Sequence, residues 1–112
     1  MPGLRAVLIA GTAGAFATNA IPHLAHAVTG KPFPTPFADP PGVGDSSPAL
    51  NLVWASMNAA AATGLLYTGR ARLSDPTFIG VAGTSAVISA VALRRYFAQA
   101  RTTGNAGGNN RP

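Results

Sequence analysis

The chain has no cysteine and no glutamate, one lysine and three aspartates, and charged residues make up only 10% of its 112 positions. Without cysteine there is no disulfide framework, no thiolate metal site and no thiol nucleophile. Without glutamate, and with Asp39, Asp45 and Asp75 all in connecting segments, a carboxylate pair for acid–base work has no obvious source. A soluble domain of ordinary composition would carry about 25% charged residues. That deficit, rather than any motif, dominates the reading.

What is present is apolar and small. Hydrophobic residues make up 47%, and 13 glycines and 10 prolines punctuate them. The apolar content is too high for a disordered chain. The charges are also segregated, leaving uncharged stretches at 6–30, 46–69 and 76–93. A soluble amphipathic helix needs polar residues on its outer face about every turn, and none of these stretches has enough of them. Each is long enough, at roughly 17 residues or more, to cross a hydrocarbon layer of about 30 Å. The expected fold is therefore all-α, a single small membrane domain over 1–101 with about three transmembrane helices near 5–28, 48–68 and 76–95. The spans are richer in Ala, Gly, Ser and Thr than in Leu and Ile, so each is weakly hydrophobic and depends on its neighbours.

A soluble alternative treats the first segment as a cleaved leader, with Arg5 as the basic region and Ala25-His26-Ala27 as a small-x-small site. The basic region is thin, and the apolar run passes Asn19, Pro22 and His23 before that site. A retained helix, bent or divided at Pro22, is the expectation. Between the first two spans, prolines through 31–47 exclude a helix or a central strand and predict a stiff, partly polyproline-like loop. Ser46 or Ser47 with Pro48, and Ser74 or Asp75 with Pro76, predict capped starts for the second and third helices. The third helix ends in Arg94-Arg95-Tyr96-Phe97, suited to a headgroup zone, and 102–112 reads as a disordered Gly- and Asn-rich tail. The arginines nearest the spans are almost evenly divided between the two sides, and the Arg94-Arg95 pair favours a cytoplasmic C-terminus. The net charge of +5 and pI near 11.3 are assigned to topology and anionic lipid, not to nucleic acid, because the arginines flank spans.

Asn19, His23 and His26 stand at i, i+4 and i+7, and Asn51 and Asn58 are seven apart. Polar groups facing hydrocarbon are costly, so the two stripes are expected to face each other across the first two helices. Interhelical hydrogen bonding is one use of such a stripe; binding of protons or a small ligand is the other. No third histidine, Cys or Glu completes a metal set, and no cofactor is implied. Small-residue spacings at Gly11/Ala15, Ala55/Ala59, Ala60/Gly64 and Gly80/Thr84 predict close helix contacts. Phe33, Phe37 and Trp54 are candidates for an interfacial aromatic cluster, and the loop from Phe33 to Ser47 is long and aromatic enough to fold back over the polar stripes.

The ordered set Asn19-Ala20-Ile21-Pro22-His23, Phe33-Pro34-Thr35-Pro36-Phe37, and Ser46-Ser47-Pro48 with Asn51 and Trp54 resembles a family of small bacterial integral membrane proteins sharing N-x-x-P-H, F-x-T-P-F and S-S-P-x-x-N-x-x-W patterns. The likeness covers about Asn19 to Asn58. It implies a helical membrane fold and transfers no functional role. The functional expectation is a non-enzymatic bacterial plasma-membrane protein, an accessory subunit or assembly partner of a larger complex or a homo-oligomer. The alternative is a ligand-binding or proton-handling protein built on the Asn/His stripe.

Overall fold

The computed structural model describes residues 3–109. Helix α1 spans Leu4–Val28, α2 Pro48–Thr68 and α3 Pro76–Asn109, with a two-stranded ladder of β1 (Phe33–Pro34) and β2 (Asp45–Ser46) between α1 and α2 and a 3-10 turn at Arg70–Arg72 before α3. All three helices are long and apolar enough to cross a membrane, with mean hydropathies of 1.3, 1.2 and 1.7. The protein is a small all-α, multi-pass membrane protein.

Burial inverts the pattern of a soluble bundle. The interior is lined by small and polar residues, among them Ala10, Ala13, Ala20, Ala55, Ala62, His23, Asn51 and Asn58. Leu8, Leu52, Val53, Met57, Ile79, Val87 and Ile88 face outward. Of the most apolar stretch of α3, only 6% is buried within the chain. Such an arrangement is stable where the surroundings are hydrocarbon.

The helix starts follow local chemistry. Ser47 caps α2, its Oγ accepting from the Leu50 amide at 3.2 Å, with Pro48 as the first helical residue. Asp75 does the same for α3, its Oδ1 accepting from the Thr77 amide at 2.8 Å ahead of Pro76. Helix α1 runs unbroken through Pro22 rather than dividing there; in a membrane bundle, neighbouring groups compensate for the backbone bond that proline forfeits. Helix α3 carries on to Asn109, past the tail boundary expected at Thr102, because propagation gains a backbone bond for each residue fixed. Residues 110–112 of that tail lie outside the described residues.

The arrangement around α1 departs from simple sequential packing. A short connector predicts that α2 and α3 are neighbours; instead α1 packs along both of them and they barely touch each other. Gly14 explains half of this. A Cβ there would stand 2.5 Å from the Ala82 carbonyl oxygen, so glycine alone lets the α1 and α3 backbones meet. Ser85 hydroxyl donates to the Gly11 carbonyl one turn away. At the connector end, Gly69 is buried against Ile9 and the fully buried Phe78, both 3.1 Å from where its Cβ would be.

The proline segment is more ordered than a polyproline tether. It forms an antiparallel two-residue ladder, Phe33 opposite Ser46 and Pro34 opposite Asp45, where a partly polyproline-like loop is expected; both strands are edges, so the exclusion of a central strand stands. Its shortness agrees with the confinement of proline to sheet edges. Gly42 N–H donates to the Thr35 carbonyl at 2.8 Å, and Gly44 N–H to the Pro40 carbonyl at 2.9 Å, closing the turn between the strands.

Candidate functional site

The polar stripes of α1 and α2 do face each other. Asn19 Nδ2 donates to Asn58 Oδ1 at 3.0 Å, and Asn58 Nδ2 donates to the Trp54 carbonyl at 2.8 Å. One loop-ward turn on, His23 Nδ1 lies 2.8 Å from Asn51 Oδ1. The hydrogen-bond network assigns the direction of this contact. Asn51 Nδ2 already serves the carbonyls of Phe33 (3.0 Å), Ser46 (3.2 Å) and Ser47 (3.1 Å), so its oxygen faces the histidine and His23 Nδ1–H is the donor. Asn51, fully buried, thus ties α1, both strands of the ladder and the start of α2 at one point.

The ladder closes over that point. Thr35 and Ser46, both buried, are joined hydroxyl to hydroxyl, and Thr35 Oγ1 also accepts from the Phe37 amide at 3.2 Å. Tyr96 hydroxyl donates to the Gly42 carbonyl at 2.8 Å, bringing the far end of α3 onto the loop. Gly42 has φ of +72°, and a Cβ there would strike the Tyr96 oxygen, so glycine is required twice over.

The aromatic cluster is centred on Phe33. That ring is buried, 4.5 Å between centroids from Phe97 and 5.5 Å from His23, with Trp54 6.3 Å beyond the histidine. The sequence places Phe33 with Phe37 and Trp54 at the interface. Phe37 and Trp54 do meet, at 5.4 Å, with Phe37 half-exposed, but Phe33 belongs to the interior. His26 also leaves the group assigned to it. Its Nδ1–H donates back to the Pro22 carbonyl at 2.7 Å and its ring stacks on Phe33 at 3.8 Å, so it takes no partner on α2.

Thr35, Ser46, Tyr96 and Phe97 were not separable as site residues in the sequence. Thr35 and Ser46 read as loop polarity, and Tyr96 and Phe97 as headgroup anchors. The available signal was the position of Thr35 between two prolines, where a hydroxyl replaces backbone donors that the neighbours lack.

A cavity of about 150 Å³ adjoins this cluster, lined by Asn19, His23, Thr35, Trp54, Tyr96 and Phe97 among others. His23, 1% exposed, is among the residues that line it, with Nδ1 engaged by Asn51. A nucleophilic triad is not assembled: His23 is oriented by an amide rather than a carboxylate, and the Ser46 hydroxyl is held by Thr35. Among the described residues no three of His, Asp, Cys and Glu gather as a metal set.

Comparison with protein-family models, with curated proteins and with solved structures finds no match for the chain.

Proposed function

We propose that the protein is a non-enzymatic subunit or assembly partner of a larger complex in the bacterial plasma membrane. The carrying observation is where its polar side chains go: Asn19 bonds Asn58, His23 bonds Asn51 and Asn51 bonds the ladder, which supports reading them as internal fastening. The outward faces, by contrast, stay approachable. Gly64 on α2 and Gly80 and Gly83 on α3 have no neighbour within 4 Å of a built Cβ, which suits close contact with another helix.

The test is mild-detergent extraction of the natively expressed, C-terminally tagged chain and mass spectrometry of what co-purifies. A larger partner at fixed stoichiometry, lost in a Gly80→Leu/Gly83→Leu variant that still folds, is the expected result. A clean homo-oligomer or a lone chain overturns it. The 150 Å³ cavity lined by Asn19 and His23 favours a second reading, binding of a small ligand at the stripe. Replacing His23 and His26 with alanine separates the two, since a lost ligand response with intact assembly supports the site and lost folding supports fastening.

A further inference from the structure

A larger groove, about 470 Å³, runs along the other side of α1, between it and the loop-side half of α3. Its walls include Ile21, Ala90, Leu93 and Phe97, and its outer end carries Arg94 and Arg101. The two arginines are seven residues apart and so share a face of α3. Neither has a carboxylate partner, since among the described residues the one ion pair joins Arg72 and Asp75 at the opposite end of the molecule. From Ala90 to Arg94 the helix rises about 6 Å, so this wall takes the part of an acyl chain nearest its phosphate. Arg94 closes the apolar span, at the depth where headgroup phosphates lie. His26 lines the same groove, and with Nδ1–H given to the Pro22 carbonyl its Nε2 is the ring nitrogen left for a headgroup hydroxyl.

We propose that this groove is a binding site for one anionic phospholipid with a hydroxylated headgroup, of the phosphatidylglycerol class. The acyl chain lies along Ile21, Ala90 and Leu93, the phosphate is held by the Arg94 and Arg101 guanidinium groups, and a glycerol hydroxyl donates to His26. Unpaired cations above an apolar trough match an amphiphile whose charge is at one end. A headgroup ending in an ammonium would set a cation against two others.

The full chain in mild detergent is titrated with phosphatidylglycerol, phosphatidylcholine or inorganic phosphate, and binding is read by native mass spectrometry. Phosphatidylglycerol is expected to bind as a single molecule, with phosphatidylcholine and the Arg94→Gln/Arg101→Gln variant each about tenfold weaker. Arg95→Gln removes the same charge one residue along, outside the groove, and changes affinity less than about twofold. Ala90→Trp keeps every charge, fills the trough and abolishes binding. Circular dichroism establishes that each variant is folded; should the double variant not fold, Ala90→Trp decides. Equal loss in Arg95→Gln indicates diffuse surface charge and overturns the proposal. So do equal binding of phosphatidylcholine, displacement by inorganic phosphate at matched concentration, a co-purifying polypeptide protecting the groove, and unchanged binding in Ala90→Trp.

Discussion

The two sides of α1 are joined to their neighbours by different chemistry. Toward α2 the contact is made by side chains, Asn19 to Asn58 and His23 to Asn51, with the ladder drawn into the second pair. Toward α3 it is made by backbone proximity, with Gly14 against Ala82 and the Ser85 hydroxyl on the Gly11 carbonyl. In hydrocarbon there is no hydrophobic force between helices, so association rests on hydrogen bonds or on close packing. This chain pairs side chains with each other toward α2, and toward α3 brings backbones together with hydroxyls bonding across to carbonyls. The polar side also fixes register, because an amide pair tolerates little sliding; the glycine side fixes distance.

The comparison is broken most severely at Asn51. Asn51→Leu keeps the branched heavy-atom skeleton and removes four hydrogen bonds, leaving His23 Nδ1–H and carbonyls of both strands without that partner. A loss of about 3–5 kcal/mol is expected from buried groups left unpaired. Thermal unfolding in detergent should show it, together with protease cleavage inside the freed loop. Gly14→Leu should act on the other side alone, costing about 2–3 kcal/mol by overpacking. Spin labels across α1 and α3 would move apart while labels across α1 and α2 keep their distance; movement of both pairs would contradict independent sides. Tyr96→Phe removes one bond to the loop and should cost about 1 kcal/mol, read as faster proteolysis near Gly42 with little change in helix unfolding. A double-mutant cycle with Asn19→Ala and Asn58→Ala sharpens the comparison at the small end, with a coupling of about 0.6 kcal/mol typical of such pairs in membranes.

Much of the framework was legible. The uncharged stretches located the spans, Ser46 or Ser47 before Pro48 and Ser74 or Asp75 before Pro76 located two helix starts, and the cost of polar groups in lipid set the Asn19/His23 stripe against that of Asn51 and Asn58. The length and aromatics of the proline loop left two readings open, an interfacial anchor and a fold back over the stripes, and the hydrogen bonds of Asn51 to Phe33 and Ser46 chose the second. The small-residue spacing was less informative. Gly11 and Ala15 marked the right region of α1, but the residue at the closest approach is Gly14, and spacing alone does not say which of several small residues faces the partner. His26 was grouped with the stripe on periodicity, and Pro22 and Phe33 claimed its ring instead.

The sequence by itself determined that these segments belong in a membrane and that their polar residues turn inward, because both follow from transfer free energies that each residue carries wherever it is placed. Only the tertiary structure decided that α1 stands between α2 and α3, that Asn51 gathers the loop, and that Arg94 and Arg101 close a groove. Those outcomes depend on relative rotation and depth of helices, which are set by contacts between residues far apart in the chain and have no signature in local composition.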